Sequence, residues 1–126
     1  MTWIDAKNYC ESFFHESFEP AHLVEIYNST QQEFVKEKLL EINDKSLVWW
    51  IGLTDREKEG NWKWETSRNI ATFFWWGPNE PDGGGRGNLP DQDCVDLWSH
   101  NDYAWSDQAC ENFLNAHIVP ICQFDI

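Results

Sequence analysis

The sequence predicts an α+β fold in which two helices precede small antiparallel sheets and a long irregular loop. Three observations carry this reading. Apolar residues recur with helical spacing through the first third of the chain, while from Leu47 onward they run continuously or alternate as strands do. Between Phe74 and Gln92, Pro78, Pro81 and Pro90 combine with Gly77, Gly83, Gly84, Gly85 and Gly87, a density at which regular structure fails. At 126 residues the chain is expected to form a single domain over 1–126, large enough to bury a core.

Each element has its own local signal. Thr2 with Asp5 three residues on reads as an N-terminal cap, and Trp3, Ala6, Tyr9, Cys10, Phe13 and Phe14 share a face of the helix it opens. Ala21 to Ile26 reads as a short strand. Thr30 with Glu33 reads as a second cap, followed by Phe34, Val35, Leu39 and Ile42 at helical period up to the breaker Asn43-Asp44. Leu47 to Leu53 is a continuous apolar run suited to a buried strand, and Asn61 to Glu65 alternates Trp62 and Trp64 with polar residues. Cys94 to Trp98, Tyr103 to Ser106 and Ile118 to Phe124 read as closing strands. The loop between them is long enough that a functional role is expected.

Composition excludes several classes. Against 22 acidic side chains stand 9 basic ones, a net charge of -13, so the clustered lysine and arginine that nucleic acid or an anionic membrane requires are missing. Aromatic residues at 16%, including 9 tryptophans, rule out a disordered acidic chain. No apolar run reaches the roughly 18 residues of a membrane span, so no membrane insertion is expected. Cys10, Cys94, Cys110 and Cys122 contain no C-x-x-C pair, which disfavours a zinc ribbon and leaves disulfides. Four cysteines allow three connectivities; the most economical joins Cys94 to Cys110 and Cys10 to Cys122, bridges worth about 3 and about 4–5 kcal/mol on the loop-entropy model. Disulfides imply an oxidising, extracellular compartment, and the sequon Asn28-Ser29-Thr30 agrees with secretion. Met1-Thr2-Trp3 lacks the basic and apolar regions of a signal peptide, so a processed secreted form is expected to start here.

A series of motifs then carries a family resemblance. Trp50-Ile51-Gly52-Leu53, Trp62-Lys63-Trp64, Trp76 ahead of Glu80-Pro81-Asp82, Asp93-Cys94-Val95, Trp105-Ser106-Asp107 with Cys110, and Pro120-Ile121-Cys122 occur in order from about Trp3 to Gln123. Together they resemble a C-type lectin domain. The resemblance implies the C-type lectin-like fold with a long calcium-binding loop, the pairs Cys10–Cys122 and Cys94–Cys110, and core roles for Trp50, Trp62, Trp64, Trp76 and Trp105. It also implies that an N-terminal edge strand usual in the family is missing.

In that family a Glu-Pro-Asn or Gln-Pro-Asp tripeptide, an acid before the third cysteine and a Trp-Asn-Asp hold a calcium ion that is completed by two vicinal sugar hydroxyls. Carried over, the metal ligands are Glu80, Asp82, Gln92, Ser106 and Asp107, with Pro81 the candidate cis residue. Such a set suits calcium, which takes six to eight oxygen ligands. Asp82 adds a charge where the acid at Gln92 is lost, so three carboxylates remain. Asp91 competes with Gln92 because Gly83-Gly84-Gly85-Arg86-Gly87 lengthens the loop. An auxiliary calcium site would use Asp55, Glu59 and Asp93, with Gly83 where a further ligand often stands, or this acidic turn is simply solvated. Sugar contacts fall to Glu80, Asp82, Gln92 and Ser106, while Trp98 either stacks on a pyranose or points inward from its strand.

The expected function is that of a secreted, calcium-dependent carbohydrate-binding lectin of pattern recognition in innate immunity, binding glycan surfaces such as microbial ones. Multivalency through a homo-oligomer suits weak single sites. The competing expectation is a lectin-like domain that binds a protein or mineral surface without sugar recognition. No histidine lies in a nucleophile motif and the carboxylates are accounted for by calcium, so an enzyme is not expected. Glu80 and Asp82 offer two acceptors to a hydroxyl carrying one proton, an arrangement matching neither the mannose-type nor the galactose-type rule. Replacing Asp82→Asn restores a donor and is expected to sharpen preference toward mannose-like sugars; a glycan-array profile identical to the wild type counts against this reading.

Overall fold

The computed structural model describes residues 1–14, 19–81, 92–112 and 115–125. The expectations placed on Asp82, Gly83 and Asp91 lie outside these residues. Helix α1 covers Trp3–Glu11 and opens as the spacing predicts, the Thr2 hydroxyl accepting from the Asp5 amide at 3.1 Å. Only part of its apolar face is covered: Trp3, Ala6 and Cys10 are buried, whereas Tyr9, Phe13 and Phe14 are exposed. The helix ends at Glu11, so Phe13 and Phe14 fall beyond the face that their spacing suggested.

Helix α2, Ser29–Ile42, starts earlier than the Thr30–Glu33 pair predicted. Asn28 is its cap, with extended backbone and a side-chain oxygen accepting from the Gln31 amide at 2.9 Å. Asn43 closes it in the left-handed conformation at φ 52°, an asparagine-tolerated stop. Val35 and Leu39 are buried with Gln32, but Phe34 and Ile42 are exposed.

The strands are β1 (His22–Leu23), β2 (Val48–Thr54), β3 (Lys63–Trp64), β4 (Cys94–Trp98), β5 (Trp105–Gln108), β6 (Ile118–Pro120) and β7 (Cys122–Gln123). Strand β1 pairs antiparallel with β7, and the larger sheet runs β3-β2-β4-β5 with β6 also on β2. The β2–β6 pair is parallel, a departure from the purely antiparallel expectation. Gly52, in the middle of β2, is required by close approach: a Cβ there would lie 3.1 Å from the Leu23 carbonyl and 3.2 Å from that of Val24.

Two clusters form the interior. One gathers α1, Leu23, Trp50, Ile118 and the Cys94–Cys110 pair; the other packs Ile26, Val35, Leu39, Ile51, Leu53, Val95, Leu97 and Trp105 between α2 and the sheet. Both disulfides, Cys10–Cys122 and Cys94–Cys110, are formed. Trp50, Trp62, Trp64 and Trp105 are buried and Trp76 is half-buried against them.

The Asn28 cap can be separated from any other role of that residue. Asn28→Ala is expected to destabilise the domain by about 1 kcal/mol and Asn28→Asp to be nearly neutral, because only the capping oxygen matters. Urea denaturation of the two variants measures the difference.

Candidate functional site

The loop that follows Ala71 is tied to β5 before it reaches the site. The Trp105 amide donates to the Trp75 carbonyl at 2.8 Å, and the Gly77 amide donates back to the Trp105 carbonyl at 2.9 Å. A turn then closes between the Glu80 amide and the Gly77 carbonyl at 3.1 Å, with Asn79 at φ 64°. The Glu80–Pro81 peptide is cis. This path brings Glu80 beside the end of β5, where its Oε2 accepts from the Asp107 amide at 3.4 Å.

Four of the five expected calcium ligands, Glu80, Gln92, Ser106 and Asp107, line one cleft of about 340 Å³, together with Trp98, Asn101 and Asp96. The fifth, Asp82, follows directly on Pro81 outside the described residues. Gln92 contributes a buried Oε1 that has no hydrogen-bond partner among the described residues. An amide oxygen buried without a partner costs free energy unless something meets it, and a cation is one way to meet it. The oxygen donors fit calcium: carboxylates, an amide oxygen and a hydroxyl are the hard ligands it takes. Trp98 does not point into the core. Its ring is 37% exposed, forms a wall of the cleft and stacks on His100 with centroids 4.2 Å apart.

Asp55, Glu59 and Asp93 also come together. Each offers an oxygen, and these oxygens lie within 4.8 Å of one another. The Asp55 amide donates to the Asp93 carbonyl at 3.0 Å, and the Gly60 amide donates to Asp55 Oδ2 at 2.9 Å. Among the described residues, Asp55 Oδ1 and Asp93 Oδ1 are buried without a geometric hydrogen-bond partner. Burial, and after it the neighbouring Asp93 and Glu59, pushes the Asp55 carboxyl up to about 7 against the opposing Gly60 hydrogen bond. A solvated turn would not bury these oxygens, so the donor set again fits a divalent cation.

Asp96 was not anticipated. Strand pairing sets it opposite Ser106, and the Ser106 hydroxyl donates to Asp96 Oδ1. Burial pushes its carboxyl up to about 7, opposed by hydrogen bonds from Ser106 and Gln108. The signal was present in Cys-Val-Asp-Leu-Trp, an acid at a position where the strand pattern is otherwise apolar. A larger groove of about 470 Å³ lies between α2 and β7, lined by Val24, Ile26, Phe34, Val35, Leu39 and Ile121 among others. The side-chain oxygens it offers, on Glu25, Gln31 and Gln123, already accept hydrogen bonds from backbone amides, so the smaller cleft is the candidate site.

Fold and site thus define a domain that brings oxygen donors from a loop and from a strand of the sheet to one cleft. The chain belongs to the C-type lectin family: residues 1–124 match the family described as Lectin C-type domain. These are non-enzymatic binding domains. It is 35% identical over 113 residues to human C-type lectin domain family 10 member A, an alignment covering 88% of this chain and 31% of that protein. The mouse scavenger receptor C-type lectin carbohydrate-recognition domain superposes with a TM-score of 0.71 at 32% identity, covering 88% of this chain and 75% of that one. A complex of SPL-1 with GlcNAc superposes at 0.64 with 27% identity, covering 88% and 73%. The chain spans 24% to 65% of the length of the curated relatives it matches. No helix among the described residues is long and apolar enough to cross a membrane.

The two raised carboxyls set a pH dependence. Asp55 and Asp96 hold their protons more tightly in the folded chain, at about 7, than at their ordinary 3.8, so the folded state binds more protons between these values. Stability of the calcium-free protein therefore falls as pH rises through that window. Asp55→Asn and Asp96→Asn are each expected to flatten this fall, read as denaturation midpoints between about pH 5 and about pH 8; slopes unchanged from the wild type would contradict the assignment.

Proposed function

We propose that this chain is a secreted, calcium-dependent carbohydrate-binding lectin that recognises vicinal sugar hydroxyls on glycan surfaces such as microbial ones. The observation that carries the reading is the convergence of Glu80, Gln92, Ser106 and Asp107 on one cleft, from a loop and two strands that are far apart in sequence. In this reading those four residues and Asp82 hold the ion. When bound, calcium supplies a Lewis-acidic centre on which two sugar hydroxyls complete the coordination. The protein's own groups orient the sugar: Glu80 and Asp82 accept from one hydroxyl, Gln92 and Ser106 face the other, and the exposed Trp98 ring meets an apolar pyranose face. Asp55, Glu59 and Asp93 hold an auxiliary calcium that ties the Asp55–Gly60 turn to the segment preceding Cys94.

The relatives support this reading, since one similar structure is a carbohydrate-recognition domain and another is a GlcNAc complex. Two disulfides support a location outside the cytosol.

Calcium should raise the melting temperature and a chelator should reverse the gain, because an ion that binds only the native state stabilises it by mass action, about 2.7 kcal/mol at a hundredfold excess over Kd. A glycan array run with and without calcium tests the sugar. Calcium-dependent signal abolished by Glu80→Gln is the expected result. Calcium stabilisation without any glycan signal would instead favour a protein or mineral ligand.

A further inference from the structure

Ser106 stands where the family resemblance leads one to expect an asparagine, and a hydroxyl differs from an amide in one respect that matters here. An amide carries its acceptor and its donors on separate atoms, whereas a serine oxygen carries one proton and two lone pairs and can turn either toward a ligand. Left free, Ser106 would present its proton to the cleft in some rotamers, and a proton aimed at a cation opposes coordination. The structure answers this from the neighbouring strand. Asp96 pairs with Ser106 across β4 and β5, on the same face of the sheet. It is 3% exposed and accepts the Ser106 proton on Oδ1. Gln108, two residues along β5, also favours the ionised form of Asp96 through its side chain.

We infer that Asp96 is a positioning residue for the cleft: by accepting the hydrogen bond of the Ser106 hydroxyl it leaves Ser106 Oγ with only acceptor lone pairs to offer the calcium site. The inference deepens the proposed lectin reading and rests on it. Ser106 Oγ and Gln92 Oε1, which is buried without a hydrogen-bond partner among the described residues, then both offer acceptors to the cleft that Glu80 and Asp107 also line. For a sugar the consequence is directional. With Asp96 ionised, a hydroxyl that meets Ser106 has to donate to it, because the Ser106 proton is engaged by the carboxylate.

Groups that orient a metal's ligands typically contribute 10- to 100-fold in affinity. The test is a double-mutant cycle on calcium binding, with calcium alone as the titrant and isothermal titration as the readout. Glu80→Gln identifies which binding step belongs to this cleft rather than to Asp55, Glu59 and Asp93. For that step, Asp96→Asn is expected to weaken affinity roughly tenfold when Ser106 is present and less than about twofold in a Ser106→Ala background, since the effect runs through the hydroxyl. Thermal unfolding without calcium provides a readout that separates positioning from general damage: Asp96→Asn should leave it unchanged or raised. An equal loss in both backgrounds, or no loss at all, overturns the inference while leaving the lectin reading intact. A wild-type protein with no calcium step sensitive to Glu80→Gln overturns that reading, and the inference with it.

Discussion

The indole of Trp105 is the contact on which most of the structure depends. Its ring is fully buried and touches Trp64, Phe73, Phe74 and Trp76 at centroid distances between 5.8 and 6.4 Å. Its Nε1 donates to Gln32 on α2 at 2.8 Å, and the Gln32 amide donates onward to the Tyr103 carbonyl at 3.0 Å. Its backbone bonds the incoming loop at Trp75 and Gly77. One residue thus fastens helix, sheet and loop together, and the two residues after it, Ser106 and Asp107, enter the cleft. The geometry of the site is therefore inherited from packing beneath it, and edge-to-face ring contacts resist the small rotations that would move those side chains.

Above that rigid base the site concentrates groups that do not tolerate one another. Asp55 and Asp93 crowd in one place, Asp96 is buried near Asp107 in another, and the burial that holds them raises the proton affinity of Asp55 and Asp96. Charge of this kind is costly without a counterion, and a divalent cation converts the same crowding into coordination. The two acidic clusters are joined through Asp93 and the adjoining Cys94, whose disulfide to Cys110 and pairing with Gln108 fix where β4 begins.

Much of this was legible in the chain. The Thr2 cap and the β4 span Cys94–Trp98 follow from local patterns, the disulfide pairing and the cis proline position from the family resemblance, and the structure reproduces all of them. Other signals misled because they are local. Phe34 and Ile42 keep helical period with Val35 and Leu39 yet face outward, since α2 is buried along a narrower stripe than its apolar residues occupy. Thr30 and Glu33 matched a capping pattern, but Asn28, two residues earlier, takes the Gln31 amide and sets the helix start. Trp98 has strand spacing that allows either face, and its place at the end of β4 leaves the ring in the wall of the cleft.

The sequence by itself determined which chemistry is available: the order of motifs, the two bridges, the set of oxygen donors, and the loss of an acid at Gln92 with its gain at Asp82. These are properties of residue identity and spacing, and the resemblance reads them directly. Only the tertiary structure decided what those donors face. Asp96 looks like any strand acid until β4 pairs with β5 and sets it opposite Ser106, and the orphaned oxygens of Asp55, Gln92 and Asp93 are defined by burial. Hydrogen-bond direction and desolvation arise between segments distant in the chain, so no local pattern carries them.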